Sequence, residues 1–226
     1  MKGKKYITAR AKIDSKKSYA PDEAVTLVKE TNAAKFDATV ELHCHLGIDP
    51  KKGEQLVRGT MTLPHTVGKP KRVIAFVEDA KTEDAKTAGA DMVATQDTID
   101  GLIKTGKIDF DIAVATPVMM PKLAKLAKIL GPKGLMPNPK TETVSPDVKK
   151  MIESLKKGKM SFKNDDTANL HLAIGKVSWD AEKISANLNA ALETIKKYKP
   201  ATSKGTYLQN VVITTTMGPG IKVTVI

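Results

Sequence analysis

Apolar and polar positions alternate without a break from Thr39 to Leu46. Val40, Leu42, Cys44 and Leu46 share one side, and Thr39, Glu41, His43 and His45 the other. A period of two over this stretch predicts a strand with one buried and one open face. Upstream, Asp22 to Lys35 follows the helical period, with Pro21 before it, acids in its first turn, and Ala24, Leu27 and Val28 on one face. Gly59 to Leu63 reads as a second strand running into the breaker-rich segment Pro64 to Pro70.

Beyond that segment the texture changes. Val73 to Val77 is apolar on both sides. It is followed by a polar helical stretch (Ala80 to Ala88), Met92 to Ala94, a helix from Asp97 to Thr105, and a further apolar run, Asp111 to Ala115. An apolar helix, Pro121 to Leu130, groups Leu123, Leu126, Ala127 and Leu130; Ser145 and Pro146 supply the N-cap and first position of another, which stops at Gly158. Short two-sided strands alternating with helices predict a parallel, doubly wound sheet. From Lys159 the one-sided alternation returns. Leu170 to Ile174 is a strand, Asp180 to Tyr198 a long helix with Ile184, Leu188, Ala191 and Ile195 in register, and Val211 to Met217 and Ile221 to Ile226 flank a Gly-Pro-Gly turn.

The two outer blocks share a texture, and neither has enough elements for a domain alone. The expected architecture is therefore a discontinuous α+β domain from both chain ends (1–67 and 159–226). A Rossmann-like three-layer α/β domain is inserted at 68–158, with a hinge near Gly68 and Gly158.

Composition refines this. The 226 residues are 41% hydrophobic and 27% charged, a globular balance long enough to bury a core. Lys and Arg number 37 against 25 Asp and Glu, a net charge of +12. By the expected boundaries the outer domain has 21 basic and 13 acidic residues, net +8, and the insert 16 and 12, net +4. The excess favours a polyanionic partner, and seven of the basic residues crowd the first 17 positions in what reads as a solvated arm. That arm has no apolar stretch behind it and is not read as a secretory signal; no window is apolar enough to span a bilayer. The reading is a cytoplasmic protein with no membrane partner.

The single cysteine, Cys44, excludes an internal disulfide. Alternation sends its thiol away from His43 and His45, so the three cannot share an ion, and no metal is expected. Gly131 to Lys140, with three prolines and two glycines, predicts a stiff exposed loop presenting Lys133 and Lys140. It lacks the Gly-Lys-Ser/Thr ending of a phosphate-cradling loop, and no turn of the insert has the Gly-x-Gly-x-x-Gly fingerprint. No nucleophile elbow is present either, so neither an enzyme nor a cofactor is expected; the rival would be an enzyme binding a nucleotide or sugar phosphate in the insert. Aromatics are only 4% of the chain, against a base-stacking platform for single strands. Hydroxyls, glycine backbone and basic charge suit the sugar-phosphate surface of folded RNA.

Several blocks together resemble the bacterial large-subunit ribosomal protein L-one family. They are Lys35-Phe-Asp-Ala-Thr-Val-Glu41, Leu46-Gly-Ile-Asp-Pro50, Val57-Arg-Gly-Thr60, Leu63-Pro-His65 and Ala115-Thr-Pro117. The 131–140 loop, Phe162-Lys-Asn-Asp165, Lys204-Gly-Thr206 and Thr214-Thr-Thr-Met-Gly-Pro219 complete the match. Lys133 and Lys163 stand where members often carry Arg, which keeps the charge but removes the bidentate fork.

The resemblance implies a ribosome-bound protein of the mobile ribosomal RNA stalk beside the tRNA exit site. Its partners would be large-subunit rRNA, exit-site tRNA and its own messenger RNA, whose translation it would repress. Carried over, the implied rRNA contacts form three clusters: Lys35, Phe36, Thr39 and Glu41; Lys163, Asn164, Asp165 and Thr167; and Thr216, Met217 and Gly218. Lysines would meet phosphates, threonine hydroxyls and the Gly218 backbone sugars, and Phe36 and Met217 a ribose or exposed base. The competing place for Phe36 and Met217 is core packing. Lys133 and Lys140 would touch tRNA or stalk RNA.

Overall fold

The computed structural model describes residues 3–68, 71–156 and 158–224. In chain order the first elements are helix α1 (Lys4–Ala11), helix α2 (Pro21–Glu30), strand β1 (Thr39–Leu46) and strand β2 (Arg58–Thr62). Then come β3 (Val73–Phe76), α3 (Thr82–Thr87), β4 (Met92–Val93), α4 (Gln96–Thr105) and β5 (Ile112–Ala115). Helices α5 (Met120–Leu123), α6 (Ala127–Leu130) and α7 (Val148–Lys156) follow. The chain ends with β6 (Lys159–Lys163), β7 (Asn169–Lys176), α8 (Ala181–Lys197), β8 (Leu208–Thr215) and β9 (Ile221–Lys222). Helix and strand are mixed throughout, as the sequence predicts, and the chain divides into two compact units. One is Met1–Gly68 with Ser161–Ile226, the other Lys69–Met160.

In the first unit the strand order is β7-β1-β8-β9, every pairing antiparallel. β1 therefore sits between strands that lie more than 120 residues away in sequence. Its parity is as the alternation requires: Val40, Leu42, Cys44 and Leu46 are buried, with Leu170, Leu172, Ile174, Val211 and Ile213 of its neighbours. Helices α2 and α8 cover this face. Ala24, Val25 and Val28 of α2 and Ile184, Leu188, Ala191 and Ile195 of α8 are buried, each large side chain contributing about 1.5–3 kcal/mol. Within this core the fully buried Asn187 has every polar atom engaged. Its Oδ1 accepts from the His65 backbone N–H at 3.0 Å; its Nδ2 donates to the carbonyls of His65 at 2.9 Å and Ile174 at 2.8 Å. Among the described residues, the opposite face of the sheet carries the polar side chains of its strands. Strands β2 and β6 form a separate pair.

The second unit holds a parallel sheet in the order β4-β3-β5. Ile74 and Phe76 pack on one side with Ile99, Leu123, Leu126 and Leu130; Val73 and Ala75 pack on the other with Ala85, Val148 and Ile152. This two-sided burial is why the run is apolar at consecutive positions. Gly68 and Gly158 both have positive φ, +97° and +90°.

Local departures from the sequence reading have physical causes. Within the basic arm Lys4–Ala11 forms a helix, α1, with Ala9 buried, while Lys4, Lys5, Arg10, Lys12, Lys16 and Lys17 stay exposed. Helix α2 stops at Glu30, where Thr31 leaves helical geometry at φ −91° and ψ 3°; the Thr31 hydroxyl donates to the Leu27 carbonyl at 2.7 Å. Asp147, not Ser145, caps α7, accepting from the Lys150 N–H at 3.4 Å; Ser145 accepts instead from Asp147. The expected helix 121–130 is broken by a tighter turn, Ala124–Leu126, between α5 and α6.

Candidate nucleic-acid interface

The uncovered face of the β7-β1-β8-β9 sheet presents the polar half of each alternating strand. Thr39, Glu41, His43 and His45 of β1 stand beside Asn169, His171 and Lys176 of β7, and Asn210, Val212 and Thr214 of β8 lie on the other flank. The register puts His43 between His171 and Val212, and Val212 beside Lys222 of β9.

The first and third expected clusters meet at one edge of this face. The Thr216 backbone N–H donates to the Thr39 carbonyl at 2.9 Å, and its hydroxyl donates to Glu41 Oε1 at 3.2 Å. The strand that starts at Thr39 and the turn that follows β8 are thus one surface. Phe36 is 57% exposed and Met217 78%, so neither belongs to the core. Lys35 is exposed beside Phe36. Met217 holds a left-handed backbone, φ +71°, which costs a side-chain-bearing residue about 1 kcal/mol or more. The turn is closed by the Gly218 N–H donating to the Thr215 carbonyl at 2.7 Å, and the Thr214 hydroxyl lies within 3.2 Å of the carbonyls of Gly218 and Pro219.

The second cluster is a loop built around Asp165. Its carboxylate accepts from the backbone N–H of Asn169 at 2.7 Å and of Thr167 at 2.9 Å, and from the Thr167 hydroxyl at 2.8 Å. These donors, the Asn169 N–H first, hold its carboxyl far below the usual carboxylate range. Lys163 and Thr167 are exposed. Asn164 faces inward: it is buried, its Oδ1 accepts from the Val57 N–H at 2.9 Å, and its Nδ2 donates to the Asp165 carbonyl at 2.8 Å. Its side chain fixes the loop rather than offering donors outward.

Two histidines join the clusters. His43 Nδ1 and His171 Nδ1 are 2.7 Å apart, with the rings edge to face. The far nitrogen of His43 is 3.5 Å from Glu41 Oε2, and that of His171 is 3.5 Å from Asp165 Oδ2. A continuous line therefore runs from Thr216 through Glu41, His43, His171 and Asp165 to Thr167. Burial, then the His171 charge, lower the His43 pKa, with Glu41 opposing. Cys44, on the other face, is buried, and its thiol is pushed up to about 12 by that burial.

Lys176 is a residue that sequence reading missed. Its Nζ donates to the Thr39 hydroxyl at 2.8 Å and reaches the Asp37 carbonyl at 3.5 Å. Strict alternation would put it on the buried side with Leu170, Leu172 and Ile174; a bulge opposite Val40 and Glu41 turns it to the Thr39 face, and nothing in the strand period marks that bulge. His171 and Asn169, by contrast, follow the parity of β7 and were legible once β1 and β7 were known to be neighbours.

The 131–140 loop lies in the second unit. It is less exposed than its composition predicts. The Leu135 N–H donates to the Leu130 carbonyl at 3.0 Å and the Gly134 N–H to the Gly131 carbonyl at 3.0 Å, with Gly134 left-handed at φ +69°. This is a Schellman-type close, which needs glycine at that position. Leu135 and Met136 then pack against the core and Pro137 is buried. Lys133 is exposed at the tip, and the side chain of Lys140 lies outside the described residues.

Comparison with known proteins gives a consistent answer. Residues 28–219 match the model of the Ribosomal protein L1p/L10e family. Curated relatives called large ribosomal subunit protein uL1 are 54% identical over 222 residues in Pseudarthrobacter chlorophenolicus, covering 98% of this chain and 94% of the relative. The uL1 of Mycobacteroides abscessus is 52% identical over 220 residues, covering 97% and 93%.

Proposed function

Since the chain belongs to the Ribosomal protein L1p/L10e family, a structural and non-enzymatic family, we propose that it is a large-subunit ribosomal protein whose open sheet face grips folded rRNA. The observation that carries this reading is the exposure of Phe36, three residues before Thr39, and of Met217, next to Thr216, at the edge where Thr216 bonds to Thr39 and Glu41. Two large apolar side chains held in water beside hydroxyls and lysines have a use on a ribose or an unstacked base. Lys35 and Lys163 meet phosphates as point charges. Thr39, Thr167, Thr216 and the Gly218 backbone offer groups to sugars, Asn164 and Asp165 hold the second loop in shape, and Glu41 accepts from a hydroxyl or amino group.

The grip belongs to the unit formed by both chain ends, with 68–158 as an insert turning about Gly68 and Gly158. That unit carries net +8 of the +12. The insert offers Lys133, and Lys140 seven residues further on, to exit-site tRNA or stalk RNA. On this reading the protein sits at the mobile stalk in the cytoplasm, assists movement and release of exit-site tRNA, and represses its own messenger through a copy of the rRNA site.

The test is a mobility-shift titration against the stalk segment of large-subunit rRNA. Met217→Asp and Thr216→Val should each weaken binding by about tenfold or more, the loss of one well-placed contact. Wild-type affinity in both, with folding intact by circular dichroism, removes this edge from the interface.

A further inference from the structure

We propose that the His43–His171 pair is a further element of the RNA-binding face, one that takes up a proton as phosphate approaches, so that RNA binding tightens as pH falls from 8 to 6. The inference rests on the RNA-binding reading above and adds to it two residues and a proton.

The argument is a count of ring hydrogens. An Nδ1–Nδ1 separation of 2.7 Å is a hydrogen bond, so one ring donates there and the other accepts. Each remaining nitrogen looks at a carboxylate across 3.5 Å, Glu41 on one side and Asp165 on the other. Satisfying all three positions requires three N–H groups. Two neutral imidazoles supply two. The ring that donates through Nδ1 therefore leaves its far nitrogen bare, facing an anion. That nitrogen is where a proton from solvent adds, giving one imidazolium shared by the pair with its internal hydrogen bond intact.

The surroundings decide whether this matters to RNA. On β1 the charged or titratable neighbours are Glu41 and His45, the latter bonded to Asn169 at 2.8 Å. The 164–168 loop contributes Asp165, and β7 contributes Lys176, engaged at Thr39. β8 places Asn210, Val212 and Thr214 alongside, none of which titrates, and Lys222 of β9 follows Val212 in the same row. Without the third proton, the strip between the clusters holds two carboxylates and no cation, and repels phosphate. With it, the strip carries one net negative charge fewer and sits between lysines. Burial first, and the His171 charge second, lower the His43 pKa, which disfavours that proton while no phosphate is near. By linkage, whatever phosphate does to the proton, the proton does to RNA affinity.

The test compares wild type, His43→Gln/His171→Gln and a His45→Gln control, each titrated against the rRNA stalk segment at pH 6, 7 and 8 at fixed salt. Wild type and His45→Gln should bind about three- to tenfold tighter at pH 6 than at pH 8, within the tenfold per pH unit that one proton allows. The double variant should be flat. Calorimetry of wild type in two buffers of different ionisation heat should show a fraction of a proton taken up at pH 7, and does not depend on any variant folding. Equal pH slopes in wild type and double variant, or no proton uptake, overturn this proposal while leaving the RNA reading in place. Failure of wild type to bind at any pH overturns both.

Discussion

A β-carbon on Gly218 would overlap the hydroxyl of Thr215, three residues earlier in the turn after β8. The same turn holds Met217 outward in its left-handed conformation. Replacing Gly218 by Ala forces the turn open at a cost of about 1–3 kcal/mol and moves Met217 and Thr216 together. Gly218→Ala should therefore lose rRNA affinity by about tenfold or more while its melting temperature falls by only a few degrees. Mobility shift and thermal denaturation on one preparation check this; unchanged affinity in the folded variant rules out a backbone role for Gly218.

Asn187 ties three backbone groups together inside the first unit. Leucine has nearly its shape but none of its polar atoms. Asn187→Leu strands the His65 N–H and leaves the Asn187 bonds to the His65 and Ile174 carbonyls unmade. An expected destabilisation of about 2–4 kcal/mol follows from one or two buried groups left unpaired. Urea unfolding at neutral pH measures it, and a change under 1 kcal/mol would show that these groups find other partners.

Asp165 has a folded-state pKa far below its unfolded value, chiefly through the Asn169 and Thr167 donors. A depressed carboxylate contributes stability that is present above its unfolded pKa, about 3.9, and lost as pH falls through the folded one. Asp165→Asn should therefore be less stable than wild type at pH 6, with the gap narrowing steadily below about pH 4. Urea midpoints from pH 2 to 6 read this out; a gap that widens in acid contradicts it.

Deleting 68–158 and bridging the ends with a short glycine linker leaves β1, β7, β8, β9, α2 and α8 untouched. The three clusters and net +8 of the charge remain. The shortened protein should keep specific rRNA binding. Log affinity should fall linearly with log salt, by about 0.7–0.9 per phosphate neutralised, in both proteins. Loss of specific binding in a folded shortened protein would move recognition into the insert.

The strands of the open sheet were legible because a one-sided sheet writes itself as alternation. β1 runs from Thr39 to Leu46 in both readings. Helix ends were less so: Ser145 and Asp147 are both able N-caps, and only the folded backbone gives the Lys150 N–H to Asp147. The exposure of Phe36 and Met217 could not be read from residue type, which favours burial for both. The pairing of His43 with His171 was hidden for a different reason. Parity gives the face of a residue, but not which strand lies alongside, and these two are separated by 128 positions.

The placing of β1 between β7 and β8 has a consequence for synthesis. A chain emerging from the amino end makes β1 first, yet neither edge of that strand can be paired until residues 169–176 and 208–215 have been added. At about 5–20 residues per second the wait lasts roughly ten to thirty seconds. Meanwhile β3, β4 and β5, close together in sequence, have all their partners and can fold. The second unit can therefore form during translation. The β7-β1-β8-β9 sheet closes only near its end, so a message truncated before β8 leaves β1 without one of its two neighbours and, on the proposed function, without a complete face for RNA.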